Sequence, residues 1–153
     1  MCFICDRIEQ IKNGENPYFV CELETGYVVL GDHQYFEGYT LFLCKQCVSE
    51  LFDLEPEFRR LHLYEMTIVA QAVKNTFPCD KINYECLGNG DSHVHWHIFP
   101  RRENDLKEFG LNGKGPVWWL PLKTMWDEAY QPDQTRLAEM RQRLKKCMIL
   151  SDT

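Results

Sequence analysis

His93-Val94-His95-Trp96-His97-Ile98-Phe99, continued by Pro100-Arg101, decides how this chain is read. Three histidines alternate with large apolar residues, the period-two pattern of a strand with one dry face and one working face. Positions i, i+2 and i+4 of a strand point the same way, so His93, His95 and His97 are expected on one side. Their attachment points would be spaced by about 6.5–7 Å per step. Val94, Trp96 and Ile98 would pack the opposite side into the core. The chain has only five histidines. Three imidazoles in a row pack poorly and are costly to bury, whereas imidazole is the usual ligand, base or nucleophile near neutral pH.

Working outward, Lys81 to Leu87 reads as the preceding strand, joined to the histidine strand by the turn Gly88-Asn89-Gly90-Asp91. Upstream, Tyr18–Leu23 and Tyr27–Leu30 form a hairpin around Thr25-Gly26, and Tyr39–Cys44 is a third strand. Phe3 to Asn13 reads as a short helix. Glu55-Pro56-Glu57 opens the longest helix, with proline at the first position and acids at the positive end of the dipole. Phe58, Leu61, Tyr64, Ile68 and Ala72 recur at spacings of three and four, a core-facing stripe that Phe77-Pro78 ends. Beyond the histidines, Arg101 to Gly115 is expected to be a mobile charged loop, Gly115–Pro121 an aromatic cluster and Pro132 to Leu150 an amphipathic helix. Sequential hairpin-linked strands with helices gathered to one side predict an α+β fold, a five-stranded antiparallel sheet with a long helix and a C-terminal helix.

At 153 residues the chain suits one folded unit, and 44% hydrophobic with 13% aromatic residues is the composition of a packed core. No apolar run approaches the ~20 residues that span a bilayer, and the N-terminus lacks a basic segment followed by an apolar one. The expectation is a cytoplasmic protein without a membrane partner. A net charge of −6 argues against a surface that tracks a nucleic acid polymer. Eight cysteines in a reducing compartment point to metal more than to disulfides. Two Cys-x-x-Cys pairs, Cys2/Cys5 and Cys44/Cys47, stand out. Cys21, Cys79, Cys86 and Cys147 lie among apolar residues and read as small core side chains.

His93-Val94-His95-Trp96-His97-Ile98-Phe99-Pro100-Arg101 resembles the signature of the histidine triad (HIT) family. Glu37-Gly38-Tyr39-Thr40-Leu41 resembles that family's Pro-Gly-His-Thr-Leu, and Cys44-Lys45-Gln46-Cys47 its Pro-Lys-Lys-His. The N-terminal Cys2-x-x-Cys5 is similar to the zinc-carrying bacterial branch. The resemblance covers roughly residues 2–105. It implies a HIT-like domain over residues 1–109 and an extension over 110–153 packed on it. It also implies a homodimer with a ten-stranded sheet, and hydrolysis or transfer at the α-phosphate of a nucleotide.

Carried onto this sequence, the resemblance makes His95 the nucleophile, forming a nucleotidyl-imidazole intermediate that water cleaves. His97 would donate to phosphate oxygens. An attacking imidazole needs one nitrogen free and its other N–H held by an acceptor. Asp32 falls where the family binds ribose, with Phe3 and Ile4 as base-pocket walls or simple core residues. Asn83 falls near the leaving group, and Asn89, Asp91 and Ser92 on the turn where the family contacts phosphate, residues that turn chemistry alone also favours. The zinc ligands become Cys2, Cys5, Cys47 and His93, with Cys44 as an alternative to His93. A closed four-ligand set leaves no position for water, so the zinc would be structural. Two departures stand out: Tyr39 and Cys47 each replace a family histidine.

The leading expectation is a HIT-type hydrolase or nucleotidyl transferase acting on dinucleoside polyphosphates or adenylated small molecules, phosphoramidates included. The alternative is a zinc-stabilised nucleotide- or partner-binding module with little turnover. A metal centre using all three triad histidines is disfavoured, because same-face positions on one strand spread ligands too far for one tetrahedral ion.

Overall fold

The computed structural model describes residues 1–109 and 113–151, the side chain of Ser151 excepted. The domain boundary expected at residue 110, and part of the loop expected over residues 101–115, fall on residues outside that range. The strands are β1 (Phe19–Glu22), β2 (Gly26–Leu30), β3 (Thr40–Cys44), β4 (Lys81–Glu85) and β5 (His95–Arg101). They form one antiparallel sheet in the order β1-β2-β3-β5-β4. The helices are α1 (Phe3–Lys12), α2 (Pro56–Thr76), the one-turn α3 (Leu122–Met125) and α4 (Gln134–Ser151).

The long helix forms where the sequence reads it. Glu55 caps α2 by accepting from the N–H groups of Glu57 and Phe58, and Pro56 takes the first turn. Ala72 of the expected stripe, with Met66, Val69, Ala70 and Val73, packs with α4 (Leu137, Met140, Leu144, Met148) against Val28, Leu30, Phe42, Trp96 and Ile98, whereas Tyr64 of that stripe is exposed. Each such aliphatic side chain is worth about 1.5–3 kcal/mol when fully buried. The helices do not all gather to one side. Ile4, Ile8 and Ile11 of α1 pack on Tyr27, Val29 and Leu43, which alternate with the residues facing α2 and so lie on the opposite face. That face is the one on which β5 displays His95 and His97.

The segment after β5 is tied down through Asp105, which accepts from Arg101 Nε and Nη2 at 2.7 and 2.8 Å and from the Arg102 N–H at 3.0 Å. Leu106 is fully buried with Phe36, Phe99, Val117 and Leu120. Among the described residues no helix is long and apolar enough to cross a membrane.

Candidate functional site

β5 begins at His95, two residues later than its alternation predicts. The Val94 N–H bonds to the Val48 carbonyl, while the ring of His93 turns toward the N-terminal cysteines. The three imidazoles therefore divide into two groups. His93 joins a metal-type cluster, and His95 and His97 remain together, ring centroids 4.8 Å apart.

The cluster is Cys2, Cys5, Cys47 and His93, whose ligand atoms all lie within 4.8 Å of one another. Cys2 is the N-cap of α1, and its Sγ accepts from the Cys5 N–H at 3.3 Å. This is how a Cys-x-x-Cys spacing sets two sulfurs side by side. His93 Nδ1 lies 3.4 Å from both Cys2 Sγ and Cys5 Sγ, while its Nε2–H donates to the Cys44 carbonyl at 2.7 Å. One ring nitrogen is thus held by backbone and the other is offered to the cluster, the usual support of a ligating histidine. Contact with the Cys2 thiol, then burial and Cys47, push the Cys5 thiol up to about 12, as expected where sulfurs crowd. A three-sulfur, one-nitrogen set suits tetrahedral zinc. Cys44, the alternative ligand, is fully buried with Leu54 and Val94 and contributes its carbonyl to His93 instead.

The second group is a hydrogen-bonded chain. His95 Nδ1 lies 2.6 Å from the His93 carbonyl, which can only accept, so Nδ1 carries the proton and the lone pair of the neutral ring sits on Nε2. His97 Nε2 is 3.1 Å from His95 Nε2 and must donate to it. His97 Nδ1 then accepts from the Tyr39 hydroxyl at 2.6 Å. Burial, then the neighbouring His95, pull His97 down to about 4, so its ring is neutral at pH 7. Burial pushes the Tyr39 phenol up, which keeps it a donor. Tyr39 stacks on Phe99 at 4.1 Å, and a side chain at Gly31 would bring a Cβ within 2.1 Å of the Tyr39 ring.

The other expected residues separate by what already holds them. Asp32 is bidentate to Arg7 at 2.9 and 2.8 Å. Asn83 Oδ1 accepts from Arg101 at 2.8 Å. Asp91 accepts from Cys2 Sγ and from the N–H groups of Ile4 and His93, tying the turn to the start of α1. Burial raises its carboxyl, but those donors outweigh burial and hold it below the ordinary range. Asn89 and Ser92 line a cavity of about 360 Å³ that contains His95. Ile4 is core, whereas Phe3 is 63% exposed.

Cys86 departs from the core reading: it is exposed and lines the same cavity as His95. Cys21, Cys79 and Cys147 do pack against the core. Two residues near the histidines carried no assignment from sequence. Glu85 pairs directly with His97 across β4 and β5, and Trp118 meets His97 edge-on at 6.0 Å. Glu85 has the same strand parity as Asn83, the one signal that pointed to it.

The family model of the HIT domain matches residues 14–104, more than half of the chain. Among solved structures, a histidine triad protein from Bradyrhizobium japonicum is 22% identical with TM-score 0.70, covering 85% of this chain and 89% of that one. A histidine triad nucleotide-binding protein from Sulfolobus tokodaii, described as hypothetical, is 16% identical with TM-score 0.69 over 95% and 93%. A Zn-bound histidine triad family protein from Mycobacterium smegmatis is 22% identical with TM-score 0.62, over 99% and 95%. At these identities the likeness is one of fold. No curated protein matches the sequence.

Proposed function

The chain belongs to the HIT domain family, and from that premise we propose that it is a nucleotide hydrolase or nucleotidyl transferase acting at an α-phosphate through His95. The observation that carries this is the tautomer of His95. Its Nδ1–H is spent on the His93 carbonyl, which puts the lone pair on Nε2, where the His97 N–H holds it until a phosphoryl group arrives. In the first step the Nε2 pair forms a bond to phosphorus. The bond from phosphorus to the leaving oxygen or nitrogen breaks, its electron pair departs with the leaving group, and a leaving nitrogen takes a proton from water. The positive charge on the His95 ring is shared with the His93 carbonyl. His97 Nε2–H turns from His95 to a phosphoryl oxygen, where charge accumulates. Water then attacks phosphorus and gives a proton to solvent, the P–N bond breaks with its electron pair returning to Nε2, and neutral His95 is restored.

Substrates of this reading are dinucleoside polyphosphates or nucleoside phosphoramidates. Asn89 and Ser92, in the cavity with His95, are the phosphate contacts, and Asp32 with Arg7 marks the nucleoside side. Asn83 faces the leaving group, and Asp91 braces the N-terminal turn. Cys2, Cys5, Cys47 and His93 hold zinc, which supplies a fixed point joining the N-terminus to the strand that carries the nucleophile. Residues 1–109 act as the catalytic domain and 110–153 as an extension packed on it. The protein works in the cytoplasm as a homodimer.

Brief exposure to an adenosine phosphoramidate followed by intact-mass analysis tests the reading. An adenylate adduct in the wild type that is missing in His95→Ala supports it. Nucleotide binding with neither adduct nor turnover supports the binding module instead.

A further inference from the structure

A cavity of about 810 Å³ opens along β4, the strand next to the one that carries the proposed catalytic residues. Asn83, Glu85, Arg101, Lys114 and Gly115 are among its walls. Glu85 stands across the sheet from His97, so the two side chains share a face. Trp118 donates its indole N–H to Glu85 Oε2 at 2.6 Å and meets both His97 and Phe99 edge-on with centroids at 6.0 Å. Trp118 lies beyond residue 104, where the family match ends.

The opposite flank of the histidines carries α1 over β2 and β3 with the Arg7–Asp32 pair. With the nucleoside on that flank, the β4 flank is the one open to the leaving group. Its arginines and Lys81 are committed, while Lys114 stands exposed at the rim. Arg101 clamps Asp105 and Asn83, Arg102 bonds to the carbonyls of Pro78 and Glu37, and Lys81 bonds to the Ile82 carbonyl. Glu85 is the charged group opposite His97. One of its oxygens is taken by Trp118, and among the described residues the other has no hydrogen-bond partner. A carboxylate with a free oxygen opening on this cavity recognises an ammonium group by a charge-assisted hydrogen bond, and the indole N–H on its other oxygen fixes its aim.

We propose that Glu85 and Trp118 form the leaving-group subsite, and that it takes a leaving group bearing an ammonium. This rests on the nucleotidyl-transfer reading given above and adds the class of group expelled. Burial raises the Glu85 carboxyl, while Trp118 and Arg101 oppose the rise, consistent with a carboxylate held partly out of water for a partner.

The test uses two adenosine phosphoramidates of equal length, one whose leaving amine ends in an ammonium and one whose leaving amine ends in a methyl. On the full chain the first is expected to have the higher kcat/KM by about tenfold, the scale of one partly desolvated cation contact. In Glu85→Gln, which keeps an acceptor for the indole N–H, the ratio is expected to fall to about one. In Trp118→Leu, which releases the carboxylate from the indole N–H that aims it, the ratio falls by about threefold. Equal rates on the two substrates in the wild type, or a ratio that survives in Glu85→Gln, overturns the subsite alone. A wild type that cleaves neither overturns the catalytic reading and the subsite with it.

Discussion

On one face of β5 a hydrogen-bonded chain runs from Tyr39 through His97 to His95; on the other a second chain runs from Trp96 through His62 and Thr25 to Glu65. The Trp96 indole can only donate, so His62 Nε2 accepts from it at 3.2 Å, and His62 Nδ1–H donates to the Thr25 hydroxyl at 2.9 Å. That hydroxyl donates to Glu65, which also accepts from the Glu24 and Thr25 N–H groups at 2.9 Å. Every donor there meets an acceptor, and His62 and Thr25 are fully buried. The first chain is paired as well, but the lone pair of His95 that accepts from His97 belongs to a residue lining a cavity. Trp96 is flanked in sequence by His95 and His97, so one strand carries both. What makes a histidine reactive here is access to a cavity with a partner that can let go, and residue type alone does not supply it.

The largest effects follow from exchanging the two ends. His95→Ala should lower turnover at least about a thousandfold, as removal of a nucleophile does, with little change in melting temperature. His62→Ala should do the reverse, costing about 2–4 kcal/mol for an emptied core site and stranded donors while turnover per folded molecule holds. Acid loads both chains, since burial pulls His97 as well as His62 down to about 4. Burial pulls His62 down to about 4 from its ordinary 6.5, so between those values the unfolded chain binds the extra proton and the folded one does not. Stability should therefore fall as pH drops from 6.5 through 4. Urea titrations across that range should show a shallower fall in His62→Ala. If His62→Ala loses turnover as steeply as His95→Ala, the two chains are not separate devices.

The metal cluster joins the reactive chain through the backbone of His93, whose carbonyl holds His95. Chelation, or Cys2→Ala, is accordingly expected to lower the melting temperature by several degrees, about 2–4 °C per kcal/mol for a chain of this size. Turnover per molecule still folded should drop less. Calorimetry with and without chelator checks the first half and normalised rates the second; equal melting temperatures would remove zinc from the account of stability.

Periodicity is a local signal, and what was legible from it was local. The alternation at β5, the three-four stripe of α2 and the Cys-x-x-Cys turn each announce themselves within a dozen residues, and the family pattern then assembled Cys2, Cys5, Cys47 and His93. Amphipathicity shows that α1 has a buried side, but not which face of the sheet receives it, so α1 lies opposite α2 against expectation. His62 was hidden inside an apolar helix, because its partners Thr25, Glu65 and Trp96 meet it only in the fold. Glu85 and Trp118 stand 33 positions apart and share no repeat. The late start of β5 has the same origin: a tertiary pull on the His93 ring overrides strand alternation.

The smallest predicted effect tests how the reactive chain is wound. Tyr39→Phe keeps the ring that stacks on Phe99 and fits over Gly31, so stability should barely move. It removes the hydroxyl that donates to His97 Nδ1. Neutral His97 is then free to carry its proton on Nδ1, which would set two lone pairs against each other at the 3.1 Å contact with His95 and leave no N–H for the phosphoryl oxygen. One neutral hydrogen bond is worth about 0.5–1.5 kcal/mol, so kcat should fall about three- to tenfold with KM little altered. Tyr39→His, restoring the residue that the family pattern carries at this position, should recover part of the loss because an imidazole N–H can make the same donation. On the opposite face, Trp96→Phe breaks the matching donation to His62 and should leave kcat alone. Unchanged kcat in Tyr39→Phe would mean that His95 and Trp118 suffice to orient His97, and the phenol would then be packing with a hydroxyl attached.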